Sequence, residues 1–202
     1  LYLKEVNLKK SNTLGLEAFI KTIRIDKPTL CENTILELID FIVSSGCRAI
    51  EFRKMSNRAM GISKTDVCIL NYDVLKMPDE YTLYIILHEV AHQYQYRKHG
   101  KNLVLDVYLE STPLDEAAKK LLRIEQIADR LAIATLNKIL QENNIRLSKP
   151  IISRYLGLTD LTQITNYLNK IRKEISEKDL STIEEINDHI LWSINQETIV
   201  RS

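Results

Sequence analysis

Cysteine is scarce in this chain and badly spaced for its usual structural uses. Cys31, Cys47 and Cys68 are odd in number and far apart, with no Cys-x-x-Cys pair. That excludes a disulfide framework and a cysteine-rich zinc knuckle, and suggests buried thiols in a reducing compartment. An excess of charge is missing as well: 28 Lys and Arg stand against 27 Asp and Glu, a formal net charge of +1. No overall basic field draws the protein to nucleic acid or to an acidic membrane, so neither is an expected partner. Long apolar runs are also absent. The most apolar stretch, Tyr81 to Leu87, is far too short to cross a bilayer. No charged segment leads into an apolar one in the manner of a signal peptide. There are no internal repeats and no low-complexity tracts. What remains, 45% apolar and 27% charged over 202 residues, reads as a soluble globular chain expected in the cytoplasm.

Residues 1–27 carry little periodic signal. Thr29 followed by Glu32 has the form of a capping box. Ile35, Leu36, Ile39, Ile42 and Val43 then mark one helical face, with Gly46 as its stop. "CRAIEFRK" (47–54) and "KTDVCILNY" (64–72) read as strands, able to pair through an intervening loop at 55–61. Pro78, Asp79 and Glu80 open a helix that should end near Gly100, with Arg97, Lys98 and His99 in its last turn. Thr112 and Pro113 start a longer helix over about 114–141. Beyond Pro150, Leu158, Leu161, Ile164, Leu168, Ile171 and Ile175 mark another, and Ser181 with Glu184 caps a last one. These elements predict an α+β fold: a small antiparallel or mixed sheet packed on the 79–99 helix and on the second long helix, followed by C-terminal helices. A soft boundary separates residues 1–147 from a helical appendage, 148–202, able to pack as part of the same domain.

The chain owns four histidines, and two of them sit in "HEVAHQ" (88–93). On a helix, positions i and i+4 share a face. His88 and His92 can therefore both reach one tetrahedral zinc ion at about 2.0–2.1 Å. Glu89 lies about 100° around the helix, beside such an ion rather than on it, placed to take a proton from metal-activated water. With this composition, ~0.006 matches to His-Glu-x-x-His are expected by chance. The alternative is an amphipathic helix whose histidines merely face core or solvent.

A catalytic zinc needs a third protein ligand and one open position. A metzincin continuation fails, because Gln95 stands where glycine is required and Lys98 where the last histidine is. His99 lies about 10 Å further along the helix and reads as a C-terminal cation. Glu125 in "RIEQIADRLA" (123–132) is the better candidate. It forms an i, i+4 pair with Asp129, and Ala128 between them lets two helices approach. Glu125 would ligate the ion while Asp129 accepts the N–H of a ligand histidine, which fixes its tautomer. The competing reading is a solvated acidic stretch paired with Arg123 and Arg130.

HEVAH followed some thirty residues later by EQIAD looks like the gluzincin arrangement of HExxH plus ExxxD. The order of helix, two short strands, HExxH helix and glutamate helix resembles the ImmA/IrrE family of small bacterial and phage metallopeptidases. "CILNYDVL" before "TLYIILHEVAH" is similar to that family's strand leading into the active-site helix. "EQIADRLAIATL" looks like its E-x-x-A-D-x-F-A run, with Leu131 in place of the aromatic. The likeness covers residues 30 to 140, and "LNKILQ" departs from the usual ending.

The resemblance implies a zincin-like fold, one catalytic Zn2+, and hydrolysis of a protein or peptide substrate, in characterised members often a transcriptional repressor. Glu89 would be the general base. Tyr94, Tyr96, Tyr155 and Arg154 are candidates for stabilising the oxyanion or touching substrate. The 64–72 strand is expected to offer a free edge to an extended peptide, with Asp66 to Leu70 lining the cleft. Two other readings stand beside this one. The first is a zinc-bound sensor or interaction module without proteolytic activity. The second is a C-terminal DNA-binding element, since "SKPIISRYLGLTDLTQITNYLNK" faintly resembles a helix-turn-helix around Gly157; dispersed Lys and Arg favour plain helical packing there. His189 and Trp192 read as core or interface residues.

Overall fold

A computed structural model of the chain describes residues 13–55, 60–64, 66–100, 103, 105–109, 111–142, 161–182, 185–186 and 189. Six α-helices are described: α1 (Leu16–Asp26), α2 (Glu32–Ser45), α3 (Asp79–His99), α4 (Leu105–Tyr108), α5 (Leu114–Glu142) and α6 (Leu161–Glu177). Three strands accompany them: β1 (Ala49–Arg53), β2 (Gly61–Ser63) and β3 (Val67–Asn71), with a 3-10 turn over Tyr72–Lys76. The architecture is α+β, mostly helical, with one small mixed sheet.

The sheet has the order β1-β3-β2, with β1 parallel and β2 antiparallel to β3. This corrects two sequence expectations. The two expected strands do pair, but not as a hairpin, because the segment between them contributes a strand of its own beginning at Gly61. And β3 has no free edge. It is the central strand, so Asp66 to Leu70 present no unpaired edge to an added peptide strand. The edge on that side belongs to β2, and Val67 and Ile69 line a groove beside β1 instead. Three residues are too short for alternation to signal a strand, which is why only the tertiary pairing exposes β2.

Other local signals resolve unevenly. Helix α1 forms although residues 1–27 show little periodicity, because Leu16, Phe19, Ile20 and Ile23 bury one face against the sheet. Thr29 does not cap α2: its hydroxyl bonds Asp79 at the start of α3, and Cys31 takes the N-cap position. That position leaves Cys31 exposed, whereas Cys47 and Cys68 are buried as expected. Burial pushes the Cys47 thiol up to about 11, so it stays protonated near neutral pH. Gly46 ends α2 at φ 80, a left-handed conformation that suits glycine. Helices α3 and α5 begin and end within a residue of expectation. The last capping box falls one position later than expected, with Glu185 N donating to Thr182 Oγ1 and Thr182 N donating to Glu185 Oε2.

Helix α3 is buried on nearly every side. Leu83, Ile86, Leu87 and Val90 are fully enclosed, and each such burial contributes about 1.5–3 kcal/mol. Packing therefore holds α3 in place whether or not a ligand is present. Helix α5, about 43 Å long at 1.5 Å per residue, serves two cores. Its second half, from Ala128 onward, packs with α1, α2, α3 and the sheet. Its first half, up to Ile124, packs with α4 and with Ile164, Leu168, Ile171 and Ile175 of α6. Glu125 stands at the junction between the two cores. Among the described residues no helix is long and apolar enough to cross a membrane.

Candidate metal centre

Three side chains converge where α3 meets α5. His88 and His92 project from one face of α3 and Glu125 from α5, and the three form a group able to hold a metal ion. The two Nε2 atoms lie 3.3 Å apart. Glu125 Oε2 is 3.3 Å from His88 Nε2 and 3.6 Å from His92 Nε2. A tetrahedron with bonds of about 2.0–2.1 Å has edges of about 3.3–3.4 Å between ligand atoms. The three donor atoms thus already stand at the spacing of one tetrahedral face. Ala128 and Ala132, fully buried where α5 meets α3, allow the helices this close.

Both rings are held from behind. His88 Nδ1 lies 2.8 Å from Asp129 Oδ1, off the line of an ideal N–H donor. The same Asp129 oxygen accepts the Tyr84 hydroxyl at 2.5 Å. His92 Nδ1 lies 2.8 Å from Gln95 Oε1. His92 Nδ1 is bonded to Gln95 Oε1 and His88 Nδ1 lies beside Asp129 Oδ1. In neutral rings protonated at Nδ1, two bare Nε2 lone pairs and a carboxylate would then face one point. Three acceptors facing one another are stable only around a cation or a shared proton.

The electrostatics record this. Burial disfavours a charged His88, but Asp129 and Glu125 outweigh it and push its pKa up to about 10. Burial likewise opposes a charged His92, and the Glu125 carboxylate raises its pKa regardless. Burial would raise the Glu125 carboxyl, yet the two histidines hold it well below the usual carboxylate range. A divalent cation at the centre would replace the proton as the compensating charge.

Glu89 lies beside this cluster, against β2. Burial raises its carboxyl above the ordinary value, partly offset by His88 and His92, and it accepts the backbone N–H of Ser63. The approach is close: a Cβ on Gly61 would fall 2.5 Å from Glu89 Cγ and 2.9 Å from Cδ. Only glycine leaves room there for the Glu89 side chain. Gly61→Ala is therefore expected to displace Glu89 and, if Glu89 serves as a base, to lower the reaction rate by about 100-fold, a loss that a ~1 Å misplacement can cause. Metal binding by His88, His92 and Glu125 should be unchanged, which a metal assay beside a rate measurement would check.

The strand is tethered to α3 at two further points. Gln93 Nε2 donates to Lys64 O at 2.6 Å and also to Ser63 Oγ. Tyr96 donates its hydroxyl to Ser63 O at 3.1 Å. Met60 O accepts the Asn71 N–H and Lys64 exchanges both backbone bonds with Val67, so in the alternating antiparallel ladder Gly61 and Ser63 turn their backbone groups outward.

The other sequence candidates divide. Asp129 stands behind His88, with Oδ1 2.8 Å from its Nδ1. Tyr96 lies near the site, where burial and then the Glu125 and Glu89 carboxylates raise its phenol. Tyr94 turns to α2 instead, its hydroxyl on Phe41 O at 3.2 Å and its ring against Phe41. Arg154 and Tyr155 lie outside the described residues, as do Gly157 and Trp192. His99 is exposed at the end of α3. His189 is buried between Glu174, 2.8 Å from its Nε2, and Lys178, 3.2 Å from its Nδ1.

Sequence reading missed Tyr84, Gln93, Gln95, Gly61 and Ser63. Tyr84 was accessible to it, since it precedes His88 by one i, i+4 step on the same face. Gln95, at i+3 from His92 on the same helix, was equally accessible; Gln93, Gly61 and Ser63 carry no local signal.

Compared with family models, with curated proteins and with solved structures, the chain matches none.

Proposed function

We propose that this chain is a zinc-dependent metallopeptidase of the gluzincin type, zincin-like in fold and similar to the ImmA/IrrE family. His88, His92 and Glu125 would hold one Zn2+, and Glu89 would act as general base. The observation that carries this reading is the convergence of His88 Nε2, His92 Nε2 and Glu125 Oε2 at tetrahedral edge lengths, with His92 Nδ1 bonded to Gln95 and His88 Nδ1 facing Asp129. Two imidazoles and a carboxylate at that spacing suit zinc. Among the described residues no fourth ligand joins the group, which leaves one position for water or substrate, as catalytic rather than structural zinc sites do.

When bound, the ion would supply Lewis-acid stabilisation of developing negative charge and a lowered pKa for coordinated water. The protein's own residues do the rest. Glu89, its pKa raised by burial, takes a proton from the attacking water and returns it to the leaving amine. Asp129 holds the His88 ring, and Tyr84 orients that carboxylate. Strand β2 is the edge along which an extended peptide would lie. Its Ser63 groups are engaged by Glu89 and Tyr96, so Gly61 is the outward position next to the base. The Tyr96 hydroxyl, which donates to Ser63 O, would meet an oxyanion only by giving up that bond. A protein or peptide substrate, a transcriptional repressor among them, and a cytoplasmic setting complete the proposal.

The test is cleavage of a peptide library by the purified protein. Activity should disappear on chelation and return on adding one equivalent of zinc. Cleavage that survives chelation would exclude the metal mechanism. Zinc-loaded protein that cleaves nothing in the library would favour a non-proteolytic zinc module.

A further inference from the structure

We infer that Gln95 is a positioning residue for the proposed metal centre, locking His92 into one tautomer and tying it to the backbone beside Glu125. The inference rests on the metal-site reading above.

Gln95 is 6% exposed, one turn beyond His92 on α3. A buried carboxamide is costly unless both its ends are bonded, and here both are. Its Nε2 donates to Ile124 O at 2.7 Å. A backbone carbonyl can only accept, so the NH2 group must face Ile124 and the amide oxygen must face His92. That oxygen can also only accept. It stands 2.8 Å from His92 Nδ1, so Nδ1 must carry the hydrogen. In a neutral ring the lone pair then belongs to Nε2, the atom that points to His88 and Glu125. One fixed carbonyl on α5 thereby decides which nitrogen of His92 is free to bind a cation.

The position of that carbonyl matters as much as its polarity. Ile124 immediately precedes Glu125, so a single side chain links one proposed ligand on α3 to the backbone that carries another on α5. The two histidines are thus supported by unlike partners. His88 has the Asp129 carboxylate behind it, whereas His92 has a neutral amide. The amide orients its ring without adding negative charge to a site that already holds Glu89, Glu125 and Asp129.

The experiment compares wild type with Gln95→Met, which keeps the volume and removes both hydrogen bonds. Zinc affinity is measured by competition with a chromophoric chelator, and the His92 ring by 15N NMR of the zinc-loaded protein. Wild type should show His92 with a protonated, slowly exchanging Nδ1 and a proton-free Nε2. Gln95→Met should bind zinc about 10–100-fold more weakly and lose the protection of the Nδ1 proton. Unchanged zinc affinity in a folded Gln95→Met variant, even one with a lower melting temperature, would overturn the proposal by reducing Gln95 to a packing role. So would a wild-type spectrum with Nε2 protonated, a result that needs no variant. Wild type that binds no zinc would instead remove the metal-site reading, and this inference with it.

Discussion

Replacing Glu89 by glutamine is expected to lower peptide hydrolysis by about 10³-fold, within the range that general-base catalysis contributes, and to leave zinc content unchanged. The substitution is nearly isosteric. The amide oxygen can still accept the Ser63 N–H that the carboxylate now accepts, so β2 should stay in place over the site. His88, His92 and Glu125 are untouched. What is lost is the ability to take up a proton. Steady-state rates and metal analysis on the same preparation decide the matter. A variant that keeps its activity would show that Glu89 is not the base, and one that loses its zinc would show that Glu89 helps to hold the ion.

Glu125→Ala should produce the second large effect, a fall in zinc affinity of more than about 100-fold, beyond what losing a supporting partner costs. Activity should fall with it at zinc concentrations that saturate wild type. Glu125 supplies the only anionic donor of the three, and its side chain meets both Nε2 atoms. The variant should still fold. Leu83, Ile86, Leu87 and Val90 anchor α3, and Ala128 and Ala132 seat α5 against it, independently of the carboxylate. Asp129 also remains beside His88 to balance a buried imidazolium. Zinc titration monitored alongside circular dichroism separates the two outcomes. Wild-type zinc content in a folded Glu125→Ala protein would refute the ligand assignment.

These expectations differ in how far they could be read from the chain. HEVAH is legible because helical spacing alone puts His88 and His92 on one face and Glu89 beside it. The Glu125–Asp129 pair is readable for the same reason. The strand edge is a different case. The sequence points to 64–72 as the free edge, whereas β3 is the central strand and β2, only three residues long, lies outside it. Tyr94 and Tyr96 look equivalent as candidates two residues apart. They part company because α2 packs on one side of α3 and β2 on another, and each hydroxyl follows its own neighbour.

By itself, then, the sequence determined which side chains share a face on each helix, the spacing of each pair and the ends of the two long helices. Those features depend on contacts within one or two turns, where 3.6 residues per turn settles which side chains share a face. Only the tertiary structure decided that Glu125 meets the histidines at tetrahedral spacing, that Gly61 leaves room for Glu89, and that Gln95 reaches Ile124 across 29 residues of chain. Such meetings are set by how buried apolar faces pack, and nothing in local spacing records which polar side chains that packing will bring together.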